Sequence, residues 1–471
     1  MSSIKRNVIY NISYQILALI VPLTTAPYIS RVLGADGIGI YSYTFSIAHY
    51  FVLFTMLGVL NYGNRSISRV RDDDKLRSST FWSIYIFQLL TGLVILILYG
   101  IYVGFFYEGN KLVALIQYIY VISGVIDISW FYFGIEKFKL TTLISGITKV
   151  VNLLAILLLI KRADQVWLYA GIVSGGLLIN AVIYWILLPK YIHWERISWR
   201  QICMHIKPNL MLFIPVIAVS IYKYMDKIML GAMANMTEVG YFENAEKLIN
   251  IPSAIITAVG IVMLPRIANI VANGQNDNVK KYNYETMFFV MFLSVAMTFG
   301  LAGIADEFIP VFYGSEFSSS VSVIMYLLPS ILFISWANVI RTQYLLPNSK
   351  DKNYCLSVLF GAVVNAIINT LLIPRLGAIG AAIGTTIAEG TVCIIQTIIA
   401  WKYMQIKKYL INGLPFIAIG IIMYIGIHKI YINNSLITTV ARIVVGIIIY
   451  FILSYAYVWL YHRNEFEILR K

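Results

Sequence analysis

Lys223, Asp226 and Lys227 fall inside one long apolar run, and Glu243, Glu246 and Lys247 inside the next. Charges in such runs are informative, because placing one at the centre of a bilayer costs about 2.5–3.5 kcal/mol on insertion scales and the group then faces a cavity or a partner. On a helix Lys223 and Lys227 share a face, and Asp226 lies within pairing reach of Lys223. Two cations against one anion leave surplus positive charge. Glu243 and Lys247 repeat the four-residue spacing. Either these groups neutralise each other near an interface, with the lysines snorkelling to headgroups, or they line a functional cavity. Their crowding into two consecutive runs favours the cavity. Prolines 22, 27, 208, 215 and 252 mark runs of the same kind, where a bent helix frees a carbonyl that neighbours or water must take up. Asp127, Lys149 and Glu389 are further intramembrane charges, with Arg65 at the end of the second run. His49 reads as a packed or hydrogen-bonded histidine. The spacings of a Walker loop, a zincin helix or a nucleophile elbow do not occur, which argues against an ATP-driven pump.

The elements that carry these residues follow from composition. Of 471 residues, 59% are hydrophobic and 12% charged, against about 45–50% apolar and about 25% charged in soluble domains. Apolar runs long enough for a membrane helix recur at 8–31, 38–61, 80–104, 112–134, 141–160, 166–188, 209–231, 239–264, 283–305, 318–345, 354–373, 378–400, 410–428 and 437–460. They are continuous rather than alternating, so the expectation is an all-α integral membrane protein of about fourteen spans, not a barrel. With the N-terminus inside, 25 of the 36 basic residues lie on cytoplasmic segments and six on external ones. That bias places both termini in the cytoplasm. The net charge of +14 then belongs to those segments rather than to nucleic-acid binding. Cys203, Cys355 and Cys393 are too scattered for a metal site and read as packing residues.

The basic stretch 189–207 reads as a cytoplasmic linker between related halves. Leu33-Gly34-Ala35 and Leu230-Gly231-Ala232 each precede a glycine and a tyrosine, Gly39 with Tyr41 and Gly240 with Tyr241, at the start of the next span. A parallel repeat of two six-span bundles, 1–188 and 208–408, accounts for this. Residues 409–471 then add two spans, with Arg442 near enough to the outer end to snorkel.

Three stretches resemble a known family. Pro27-Tyr-Ile-Ser-Arg31-Val-Leu-Gly-Ala-Asp-Gly-Ile-Gly39-Ile-Tyr41 is similar to the N-terminal signature of Wzx-type polysaccharide flippases, members of the multidrug/oligosaccharidyl-lipid/polysaccharide (MOP) exporter superfamily. Asp127-Ile-Ser-Trp130-Phe-Tyr-Phe-Gly134-Ile-Glu136-Lys resembles their Asp-x-x-Trp-Phe-x-x-Gly-x-Glu-Lys segment, and Asp226-Lys-Ile-Met-Leu-Gly231 with Val239-Gly240-Tyr241 their second-half signature. The resemblance implies two six-helix bundles in a V-shaped arrangement, opening alternately to each side of a bacterial cytoplasmic membrane. The implied cargo is an undecaprenyl-diphosphate-linked oligosaccharide for capsule, O-antigen or exopolysaccharide, and the implied partners include a polysaccharide polymerase. Arg31, Arg65, Lys149, Lys223, Lys227 and Lys247 are the candidate substrate-binding cations. Asn11, Gln15, Thr24 and Thr25 are candidate sugar donors. Asp127, Asp226 and Glu389 are the candidates for coupling to a proton or sodium ion, with no other cofactor expected. A cation-coupled drug exporter of the same fold is the main alternative. A membrane-embedded glycan polymerase or ligase fits less well, since no external loop is long enough for a catalytic insertion.

Overall fold

The computed structural model describes residues 3–461, with side chains described except at 3–20, 22, 214, 215, 218, 219, 222 and 276. Asn11, Gln15, Pro22 and Pro215 therefore lie outside the described side chains. The chain divides into two compact units, Met1–Gly240 and Tyr241–Lys471.

The first unit contains α1 (Ser3–Met56), α2 (Val59–Val70), α3 (Asp74–Ile101), α4 (Lys111–Ile116), α5 (Tyr118–Ile126), α6 (Ser129–Gly134), α7 (Phe138–Leu159), α8 (Val166–Leu187), α9 (Trp199–Cys203) and α10 (Ile206–Met233). α11 (Met236–Ala272) begins in it and continues into the second unit, followed by α12 (Asn276–Tyr313), α13 (Ser319–Ile340), α14 (Asp351–Leu376), α15 (Ala378–Ala400), α16 (Ile406–His428) and α17 (Ser435–Tyr461). Polar caps start several of them. Asp73 accepts a bond from the Leu76 amide at 2.9 Å, and Asn110 one from the Val113 amide at 3.1 Å. These caps satisfy amides that a helix start leaves without a partner.

Among the described residues, twelve helical stretches are long and apolar enough to cross a membrane. One of them, Leu23–Val70, holds the expected span 38–61 and only the end of the first, 8–31, the rest of which is the earlier part of α1. α10, with 28 residues, corresponds to another, which brings the count to the expected fourteen. The chain is a multi-pass, all-α membrane protein. Its outer faces are apolar, with Val94, Ile97 and Leu98 of α3 and Ile448, Phe451 and Ile452 of α17 all exposed, as lipid contact requires.

The break expected between the first two runs falls at Gly34, where two helical segments meet in a sharp kink; its φ of 69° is left-handed backbone that glycine adopts without steric cost. The bend, and not a proline, redirects the chain. Just beyond it, α1 meets the start of α11 backbone to backbone. A Cβ on Gly39 would lie 1.7 Å from the Met236 carbonyl oxygen, and one on Gly240 would lie 2.0 Å from the Ala35 carbonyl oxygen. Ala35 and Gly39 are thus matched by Met236 and Gly240, each pair one helical turn apart. This reciprocity is what a local two-fold axis gives, and small residues let membrane helices approach so closely.

Where the linker meets the bundle, His205 is buried. One ring nitrogen lies 2.8 Å from the Tyr62 hydroxyl and the other 2.8 Å from the Ser83 hydroxyl. Burial pushes its pKa down to about 4, so the ring stays neutral near pH 7 and serves both hydroxyls, donating to one and accepting from the other.

In the second unit α12 packs against α13, α16 and α17, and α15 against α13 and α14. The Gln396 amide donates to Ser357 across the α14–α15 contact at 3.0 Å. Arg442 does not snorkel. Its side chain is 3% exposed and bonds Asp306 of α12 at 2.6 Å. It also donates to the carbonyls of Gly303, Ile430 and His428. A guanidinium offers five fixed donors, and here they gather the C-terminal end of α16 and a carboxylate of α12. Tyr450 of α17 adds a bond to the Phe292 carbonyl at 2.7 Å. The last two helices are therefore built into this unit rather than merely appended.

Candidate functional site

The segment Asp127–Lys137 is a designed interruption of a span. α5 stops at Ile126 and α6 starts at Ser129. Asp127 turns the chain between them, accepting from the Ser129 amide at 2.8 Å and the Ser129 hydroxyl at 3.1 Å. A break in a membrane helix frees carbonyls that must find donors. Gln88 of α3, fully buried, supplies them. Its amide nitrogen lies 3.0 Å from the Gly124 carbonyl oxygen, 3.1 Å from that of Val125 and 2.9 Å from that of Asp127. Its amide oxygen accepts from the Trp130 indole at 3.0 Å, and Trp130 stacks on Phe81 with centroids 5.4 Å apart. Past α6, Glu136 sits at φ 58° and accepts from Arg71 at 2.6 Å, while the Lys137 ammonium lies over the Tyr191 ring. The aromatic and charged residues of this motif thus fix a bend; Asp127 stands at the bend's open side.

Beside Asp127 lies a cavity of about 620 Å³ within the first unit. Its wall is set by helical periodicity. From α7 come Thr141, Thr142, Ser145, Thr148, Lys149 and Asn152, all polar and spaced so that they form one face. α8 contributes Gly176, Asn180 and Tyr184, and α1 contributes Phe45 and His49. The Thr148 hydroxyl donates to the Asn180 carbonyl at 2.5 Å. His49 shares a 2.7 Å hydrogen bond with the Tyr120 hydroxyl and packs at a tilt of 34° against the ring of Tyr224 of α10, centroids 4.1 Å apart, the bonded histidine the sequence leads one to expect.

Of the candidate charges, the cavity brings together Asp127 and Lys149. Lys223 and Lys227 flank the Tyr224 ring that closes one side, their ammonium groups 5.8 Å and 5.7 Å from its centroid. Lys223 is exposed, whereas Asp226 and Lys227 are buried. Arg31 and Arg65 are exposed on α1 and α2. In the second unit Lys247 pairs with Glu243 at 3.2 Å, the mutual neutralisation their spacing allows, and Glu389 is half-buried on α15. Run seven contributes Tyr224 to this cavity of the first bundle. None of the prolines named above lines it. Gln88 and the α7 stripe are absent from the charge-based reading. Their signals are a lone amide in a long apolar run and polar residues recurring at helical spacing.

A sequence model of the family described as polysaccharide biosynthesis protein matches residues 4–271, more than half of the chain. The chain belongs to that family. The matched stretch contains the broken span and every wall of the cavity. A protein of Escherichia coli (strain K12) described as an O-antigen transporter is 22% identical over 385 residues, covering 81% of this chain and 92% of that relative. The fold is that of the lipid II flippase MurJ in an inward closed conformation, with a TM-score of 0.75 at 17% identity over 96% of this chain and 98% of that one. A multidrug resistance MATE family transporter of the MOP superfamily, in an inward-facing conformation, gives 0.59 at 12% identity over 82% and 97%. The kinship that three short stretches of sequence point to is borne out at the level of this polysaccharide biosynthesis family, and the fold is the one seen in the lipid II flippase and the MOP-superfamily transporter.

Proposed function

We propose that this protein carries undecaprenyl-diphosphate-linked oligosaccharide repeat units across the bacterial cytoplasmic membrane by alternating access, with both termini in the cytoplasm. The observation that carries the reading is the polar face of α7 turned to a cavity inside a bundle whose outer surface is apolar. Hydroxyl and amide groups in hydrocarbon are costly unless they serve packing or a ligand. An O-antigen transporter and a lipid II flippase among the similar proteins point to glycans on lipid carriers.

In this reading the diphosphate is held by Lys223 and Lys227 of α10, since charge-assisted bonds to phosphate are strong. Lys247 is already engaged by Glu243 and contributes less. Arg31, Arg65 and Lys149 assist at the ends and within the first bundle. Asp127 is the coupling residue best placed to act, with Asp226 and Glu389 as further sites. Protonating its carboxylate, or engaging a sodium ion there, competes with the bonds to Ser129 that start α6. The broken span then becomes the moving part. A polysaccharide polymerase takes up the delivered unit.

Deleting the gene should abolish the surface glycan of the host and accumulate the lipid-linked unit. A plasmid copy should restore export, and one carrying Lys223→Ala with Lys227→Ala, at normal abundance, should not. Normal surface glycan in the deletion strain would refute the reading.

A further inference from the structure

The cavity beside the broken span has a lining that selects among ligand classes. Thr142 and the Asn152 amide line it, and among the described residues neither makes a side-chain hydrogen bond. The carbonyl of Asn180 is taken by Thr148, which leaves its NH2 group as a donor. Phe45, Tyr120, Phe133 and Phe138 add ring faces. The volume of about 620 Å³ falls within the roughly 300–1,000 Å³ of small-ligand pockets.

An acyl chain would leave these amides and hydroxyls without partners, at the cost that burying polar groups carries. A divalent metal has no ligand set here, since no group of three acidic, histidine or cysteine side chains occurs among the described residues. A sugar matches the lining. Its hydroxyls both donate and accept, as amides and threonine hydroxyls require, and its C–H faces lie well on aromatic rings.

We propose that this pocket is a saccharide-recognition site, in which Asn152, Asn180 and Thr142 bond one or two sugar rings of the cargo. Its amides and hydroxyls would read the glycan beside the cations that hold the diphosphate, with Lys149 in the same wall, and so set which repeat unit is carried. This rests on the glycan-flippase reading above.

The test uses the full chain purified in detergent, with oligosaccharides released by mild acid from the surface glycan of the cell that expresses it. Saturation-transfer NMR should show transfer to sugar ring protons. Asn152→Leu with Asn180→Leu should weaken binding at least about tenfold, since two bonding amides become apolar. Thr142→Val, which keeps the shape and removes one hydroxyl, should weaken it about threefold and covers the case in which the double variant fails to fold. Two results overturn the inference while leaving the flippase reading in place. One is sugar binding unchanged in the folded variants. The other is no sugar binding by a preparation that still takes up the intact lipid-linked oligosaccharide. Failure to bind either form overturns the flippase reading and this inference with it.

Discussion

Gly39→Ala will destabilise the protein sharply, although it adds a single methyl group. The methyl carbon would lie 1.7 Å from the Met236 carbonyl oxygen and 2.6 Å from its carbon, and a backbone carbonyl has no rotamer by which to move aside. The two helices must separate, so the cost lies at or above the top of the about 1–3 kcal/mol range for overpacking. Gly240→Ala should do the same through the Ala35 carbonyl. The double variant is the discriminating case. Once one methyl has parted the helices, the second finds room, and the combined cost should fall well below the sum, as expected for residues that share a contact. Thermal unfolding of the detergent-solubilised variants measures this, with Gly175→Ala as a control because a Cβ there meets nothing within 4 Å. Strict additivity, or a control as damaged as Gly39→Ala, would show that the close approach is not what these glycines serve.

The second large effect is expected from Gln88→Leu. Leucine has a similar volume, so packing is nearly kept while the two N–H donors shared among three carbonyls and the acceptor for the Trp130 indole vanish. Three carbonyls and the Trp130 indole lose their partner. Each buried group left without one costs about 1–3 kcal/mol, and even if water from the adjoining cavity relieves some, a loss of about 3 kcal/mol remains. The bend at Asp127 would lose its clamp, so export should fall more steeply than protein abundance. Gln88→Glu is instructive beside it, since it keeps the acceptor for Trp130 and removes the donor. It should be nearly as damaging, because three carbonyls are then opposed by a carboxylate. Wild-type export and stability in both variants would mean that the broken span needs no such support.

How much of this was legible in the sequence follows from what each signal measures. Hydropathy averages over a span, so it located the helices well and missed what happens within one. It divided α1 at residues 31–38, and the break is there, at Gly34, but it did not show that the break is a one-residue kink, because a loop and a kink interrupt an apolar run alike. The segment from Asp127 to Lys137 stood out as a motif, but its purpose became visible only with Gln88, 39 residues upstream of Asp127. Intramembrane charges led to Asp127 and Lys149 and past the rest of the cavity wall. Thr141, Thr142, Ser145, Thr148 and Asn152 barely depress hydropathy; counted by helical period, they would have shown a polar face. Arg442 was misread because its partners, Asp306 and the carbonyls ending α16, are distant in sequence. A buried guanidinium looks like a snorkelling one until they are known.

The measurement closest to the central claim is leaflet exchange in a defined membrane. Liposomes holding lipid-linked oligosaccharide on both leaflets should be reconstituted with the purified chain, and a membrane-impermeant glycosidase added outside. The account predicts that the glycan accessible to the enzyme rises from the outer-leaflet share toward completion in vesicles that contain the chain, and more slowly with Gln88→Leu. Cleavage that stops at the same fraction in protein-free vesicles and in vesicles with the active chain would contradict it.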